Sequence, residues 1–131
     1  MNVLLDTHVA LWAIAADDKL SAIARRTIAA PDNTIFISVV TLWEIAIKFA
    51  LRRGRSNDMP ISAEDALENF TAAGYEILQI EARHALAAAG LPNLHGDPFD
   101  RMLIAQARSE PLRLLTANTR MAAYGASVDL V

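Results

Sequence analysis

At 131 residues, 53% of them hydrophobic, the chain is the size of one domain and apolar enough to bury a core. Cysteine is absent, which excludes disulfides, thiolate zinc sites and cysteine nucleophiles and fits a reducing cytoplasm. A net charge of −3 excludes holding nucleic acid by bulk charge, so an RNA ligand would need local arginines and bound cations.

Residues 2–6 predict a short buried strand, followed by helix from about His8 to Ala15 and a break at Asp17-Asp18-Lys19. Helix from about Ser21 to Ala30 stops at Pro31-Asp32-Asn33. Thr34–Ser38, β-branched and aromatic, is a second strand. Thr41 is expected to open a helix that runs to about Arg53 and stops at Gly54. Residues 52–60 form a polar loop with three arginines. Ser62 caps the next helix, with Ala66, Leu67 and Phe70 inward and Gly74 at its end. A third strand covers Tyr75–Ile80, and helix follows from Glu81 to Ala89. After the Pro92–Gly96 loop come a helix from Pro98 to about Ser109 and the strand Arg113–Thr116. A helical turn near Arg120–Tyr124 leads to a last strand near Val128–Leu130.

Strands alternate with helices and no linker or repeat intervenes, which argues for one α/β domain, residues 1–131, with a mainly parallel sheet. Asp6 comes too early for a signal peptide, and no run approaches the ~18 apolar residues of a membrane span, so a soluble, cytoplasmic chain is expected.

Four acids fall where such sheets bind ligands, the carboxyl ends of strands. Asp6 closes the first strand, Glu44 sits in the helix after the second, and Asp97 and Asp100 open the helix at Pro98. Each has a plainer explanation. Asp6 and Asp97 suit helix N-caps, Asp97 with proline next to it. Thr41–Glu44 has capping-box spacing, and Glu44 stands four residues before Lys48. Asp100 is harder to explain away. It shares a helical stripe with Leu103, Ile104 and Ala107, and an unpaired inward charge is costly. If the strands are parallel and adjacent, all four carboxylates meet at one rim, repel each other and call for a cation. An oxygen-only set suits Mg²⁺ or Mn²⁺, which suggests a metal-dependent phosphodiesterase.

His8, His84 and His95 lack zinc spacing and are expected to be structural. There is no nucleophile elbow or glycine-rich phosphate loop. Arg52, Arg53 and Arg55 are either a solvated loop or a grip on phosphates or a partner's carboxylates. The helix around Trp43 carries two apolar stripes, Leu42, Ile45, Ala46, Phe49 and Trp43, Ile47, Leu51, as a helix packed on two sides would.

The segments Leu4–His8, Ser38–Ile45 and Asp97–Ala107, the last reading Asp-Pro-Phe-Asp-Arg-Met-Leu-Ile-Ala-Gln-Ala, resemble PIN-domain ribonucleases and within them VapC-type toxins of bacterial toxin–antitoxin pairs. The resemblance spans the chain. It implies a three-layer α/β/α fold with a roughly five-stranded parallel sheet. It implies Mg²⁺ or Mn²⁺ held by Asp6, Glu44 and Asp100 with Asp97 contributing, and hydrolysis of RNA to a 5′-phosphate and a 3′-hydroxyl. Thr7, Thr116 and Asn118 would hydrogen-bond the ligands. Arg52, Arg53, Arg55, Arg101 and Arg120 would meet RNA or an antitoxin. A homodimer and a cognate antitoxin are the implied partners. Where the family often has Thr-x-Asp, this chain has Thr116-Ala117-Asn118, one negative charge fewer. Two other readings stay open: a PIN domain that only binds, and a receiver-like signalling domain. The second lacks its phosphoacceptor aspartate and lysine.

Overall fold

The computed structural model describes all residues, 1–131. In chain order its elements are β1 (Asn2–Leu5), α1 (Thr7–Ala15), α2 (Ala22–Ala29), β2 (Thr34–Ser38), α3 (Val39–Ala50), α4 (Ala63–Ala72), β3 (Glu76–Leu78), α5 (Ala82–Ala89), α6 (Pro98–Ser109), β4 (Arg113–Thr116), α7 (Thr119–Ala122) and β5 (Val128–Leu130). The five strands form one parallel sheet in the order β3-β2-β1-β4-β5, with helices on both faces. This order departs from the 2-1-3-4-5 of receiver-like folds and removes that reading.

The central strand explains its own sequence. Val3, Leu4 and Leu5 are all fully buried because β1 has a neighbour on each edge and helices above and below. Val3 and Leu5 enter a core with Val9, Ala10 and Phe70. Leu4 enters the other, with Leu103, Ile104 and Met121. β4 splits likewise, Leu115 to the first core and Leu114 to the second.

Three details differ from the expectation. The helix after β2 starts at Val39, not Thr41. Ser38 caps it, its hydroxyl accepting from the N–H of Val40 at 3.0 Å. The proposed Thr41–Glu44 capping box therefore does not exist, and both residues lie inside α3. β3 is three residues long, since past Leu78 the carbonyl of Gln79 bonds the Gln106 amide instead of the sheet. Leu67 is 39% exposed, because Ala66 and Phe70, one helical turn apart, take the inner face of α4. The second stripe of α3 is not covered by the chain itself: Trp43 and Leu51 are exposed, Trp43 in a T-shaped contact with Phe99 at 5.4 Å between ring centres.

No helix is long and apolar enough to cross a membrane.

Candidate metal centre at the carboxyl rim

Asp6 extends the ladder of β1 by one bond, its N–H donating to the carbonyl of Leu115 at 3.0 Å. Its carboxylate then caps α1. Oδ1 accepts from the N–H of Val9 at 2.8 Å, and Oδ2 accepts from the hydroxyl of Thr116 at the end of β4. Asp6 is thus both a cap and a rim acid. Burial pushes its carboxyl above the ordinary 3.8; the Thr116 and Val9 bonds and the nearby His8 pull down, and the charge of Asp100 pushes up.

Glu44 is 3% exposed. It shares the buried face of α3 with Val40, Thr41 and Ile45. Thr7, the first residue of α1, donates to Oε1 at 2.6 Å and stands 3.2 Å from the hydroxyl of Thr41. Lys48, one turn on, holds Oε2 at 2.5 Å as its position in the sequence foretold.

At α6, Asp97 is the N-cap and Pro98 follows, as expected; Oδ1 of Asp97 accepts the N–H of Asp100 at 3.0 Å. Asp100 points inward, and Oδ2 lies 2.8 Å from Nε2 of His95. Burial again raises its carboxyl most, the His95 bond lowers it, and the charges of Asp97 and Glu44 raise it. Asp100 therefore feels Asp97 and Glu44, and Asp6 feels Asp100, so carboxylates from three separate segments share one field.

This donor set fits a hard divalent cation. It is all oxygen, two of its members (Asp6 and Glu44) are buried and two (Asp97 and Asp100) are partly so, and Asp100 is repelled by the others. Protein donors reach only Oδ2 of Asp100 and only Oδ1 of Asp97, which leaves the other oxygens for a ligand. The four acids are spaced wider than a closed cage. The one trio of metal-type donors within 4.8 Å of one another is Glu81, His84 and Glu110. A looser set suits Mg²⁺, which keeps several waters. The trio itself sits at the opposite end of α6, roughly 15 Å from Asp100 at the helical rise. Both nitrogens of His84 are already in use there, Nδ1 accepting from the N–H of Glu81 at 3.0 Å and Nε2 bonding Glu110 at 2.7 Å, while Arg83 pairs with Glu110. These bonds tie the start of α5 to the end of α6.

Other expected residues are scattered. Thr7 and Thr116 touch the acids. Asn118 caps α7, its Oδ1 accepting from Arg120, while its N–H donates to the hydroxyl of Thr116 at 3.0 Å; it reaches the centre only through that threonine. The guanidinium of Arg52 covers the Phe49 ring at 3.8 Å. Arg101 turns inward. It bonds the carbonyls of Ala88, Leu91, Pro92 and His95 and the hydroxyl of Tyr124, so it binds the fold together and presents no free fork. Arg53 and Arg55 do face open space. With Thr7, Trp12, Glu44 and Lys48 they line a groove of about 770 Å³ that begins at the rim. Sequence reasoning missed Thr41 and His95. Thr41 was hidden by its assumed capping role; His95 lay in a loop, with only its position five residues before Asp100 to mark it.

Parallel sheet, helical layers and a carboxylate rim define a PIN-type fold. The PIN-domain family model matches residues 3–126, and the chain belongs to that family. Among solved structures it is similar to a VapBC2 complex from Rickettsia felis bound to a promoter DNA fragment (TM-score 0.71, 20% identity, 100% of this chain and 98% of that one). It is similar also to a DNA-bound VapBC from Salmonella typhimurium (0.68, 20%, 100% and 97%) and a toxin–antitoxin complex from Klebsiella pneumoniae (0.67, 19%, 97% and 95%). At such identities the likeness concerns the fold. No curated protein matches in sequence.

Proposed function

We propose that this protein is a metal-dependent endoribonuclease acting as the toxin of a type II toxin–antitoxin pair. The observation that carries the reading is the gathering of Asp6, Glu44, Asp97 and Asp100 from three separate segments around one rim, where Asp100 feels the charges of Asp97 and Glu44 and Asp6 feels that of Asp100. PIN membership and the whole-chain likeness to toxin–antitoxin complexes support it.

Asp6 and Asp100 would hold Mg²⁺ or Mn²⁺, with Asp97 contributing. The ion, when bound, supplies Lewis acidity at the phosphate and lowers the pKa of water. Thr116 fixes Oδ2 of Asp6, and Thr7 with Lys48 fixes both oxygens of Glu44. Glu44 orients the attacking water or takes its proton. In-line attack leaves a 5′-phosphate and a 3′-hydroxyl. Arg53 and Arg55, with the exposed Arg52 and Arg120, neutralise the RNA backbone, and a single strand enters more easily than a duplex. The uncovered Trp43 suits a second copy or an antitoxin, and the site of action is the cytoplasm.

The test uses purified protein on single-stranded RNA. Cleavage stops in EDTA and returns with Mg²⁺ or Mn²⁺, and Asp6→Asn or Asp100→Asn lowers kcat at least about a hundredfold, as loss of several kcal/mol of transition-state stabilisation requires. Full activity of the double variant removes the proposal. RNA binding without cleavage by the native chain favours a PIN domain that only binds, a reading to which the missing charge at Asn118 lends weight.

A further inference from the structure

The two interior histidines differ in one respect. His84 has a partner on each nitrogen. The His95 side chain is only 9% exposed, yet Nδ1 is buried without any partner, the one side-chain polar atom in the protein so placed. A histidine kept for packing would be expected to satisfy both nitrogens, since an unmet buried polar atom costs about 1–3 kcal/mol. Its single bond goes to Asp100. An ionised carboxylate only accepts, so Nε2 is the donor in that bond.

The loop is built to hold that ring in place. The N–H of His95 donates to the Tyr124 hydroxyl at 3.0 Å, and its carbonyl accepts from Arg101 at 3.3 Å. Tyr124 also donates to the carbonyl of Pro92 at 2.8 Å, and Arg101 bonds three further carbonyls of residues 88–92. Two rigid side chains thus fix the backbone of a loop that carries no regular structure. An aspartate's terminal torsion is broad and two-fold, so a single donor on one oxygen decides which oxygen is offered to a ligand.

We infer that His95 is a positioning residue: by holding Oδ2 of Asp100 it presents Oδ1 to the divalent cation. This rests on the proposed metal centre. It assigns Arg101 and Tyr124 an indirect part, as the frame that aims the ring. Partners that orient a metal ligand are typically worth 10–100-fold in metal affinity.

Mn²⁺ binding to the full chain, measured by isothermal titration calorimetry, tests it without reference to activity. His95→Leu fills the site without a donor and is expected to weaken Mn²⁺ at least about tenfold. His95→Gln, whose amide nitrogen stands where Nε2 stood, is expected to keep most of the affinity. Leu binding as tightly as the native residue, or Gln losing as much as Leu, overturns the inference while leaving the metal centre standing. No Mn²⁺ binding by the native chain overturns both. Should His95→Leu not fold, His95→Asn replaces it, its amide one bond too short to reach Asp100; Asn weakened with Gln retained supports the inference, and equal affinity overturns it.

Discussion

At the scale of single residues, the rim is a place where stability is given up. Asp6 and Asp100 have carboxyls held above 3.8 chiefly by burial, so the folded chain binds their protons more readily than the unfolded chain does. Their contribution to stability is full below about pH 4 and is lost as pH rises through the raised folded values. Metal-free protein should therefore gain from these two groups on acidification from neutral. Thermal midpoints in EDTA between pH 7 and pH 4 should show this gain relative to an Asp6→Asn, Asp100→Asn variant, which lacks it; identical profiles would contradict it. A divalent cation should stabilise the native chain at neutral pH, where it relieves the same repulsion. Asp100 stood out in the sequence, because inward charge on a helical stripe has few explanations, whereas Asp6, Glu44 and Asp97 each read equally as caps or helix pairs. Their donors were less so. Thr116 donates to Asp6 across 110 positions, and such a pairing has no local signature.

Among the elements, α3 decides the geometry. Ser38 ends β2, caps α3 and donates to Oε1 of Gln106 on α6 at 2.5 Å, linking both helices that carry site acids. Ser38→Ala removes the cap and leaves the buried Oε1 of Gln106 without its donor. A loss of roughly 2 kcal/mol is expected from the typical cost of a cap and an unsatisfied group. Chemical denaturation checks the loss, and a change below about 0.5 kcal/mol, the range of ordinary surface substitutions, would deny Ser38 this role. The true start of α3 was obscured because Val39 and Val40 are β-branched and extend the strand pattern of β2, while Thr41–Glu44 offered a capping box whose cap lies three residues past Ser38. Other elements were plain. Asp97-Pro98 marks the start of α6, and Gly74, at φ +83°, closes α4. The brevity of β3 depends on Gln106, a residue of another helix.

For the whole molecule, the alternation of strands and helices announced a parallel sheet, but the order β3-β2-β1-β4-β5 needs to know which strands pair. Charge distribution shows the same limit. A chain of net charge −3 still gathers Lys48, Arg53 and Arg55 along one groove beside its acids. If single-stranded RNA lies there, Arg53→Ala with Arg55→Ala should raise KM and leave kcat nearly unchanged. The double variant should also shallow the salt dependence of binding by about 0.7 for each phosphate that the arginines had neutralised. Filter binding across a salt series checks this, and an unchanged slope would place the strand elsewhere.

The middle position of β1 has a temporal consequence. β2 follows it closely in the chain, but the other of its two neighbours is β4, made more than a hundred residues later. Until then Asp6 waits at an open edge without the Thr116 hydroxyl. Whatever later prises β4 from β1 loosens that carboxylate in the same stroke, so the rim and the middle of the sheet are made and unmade together.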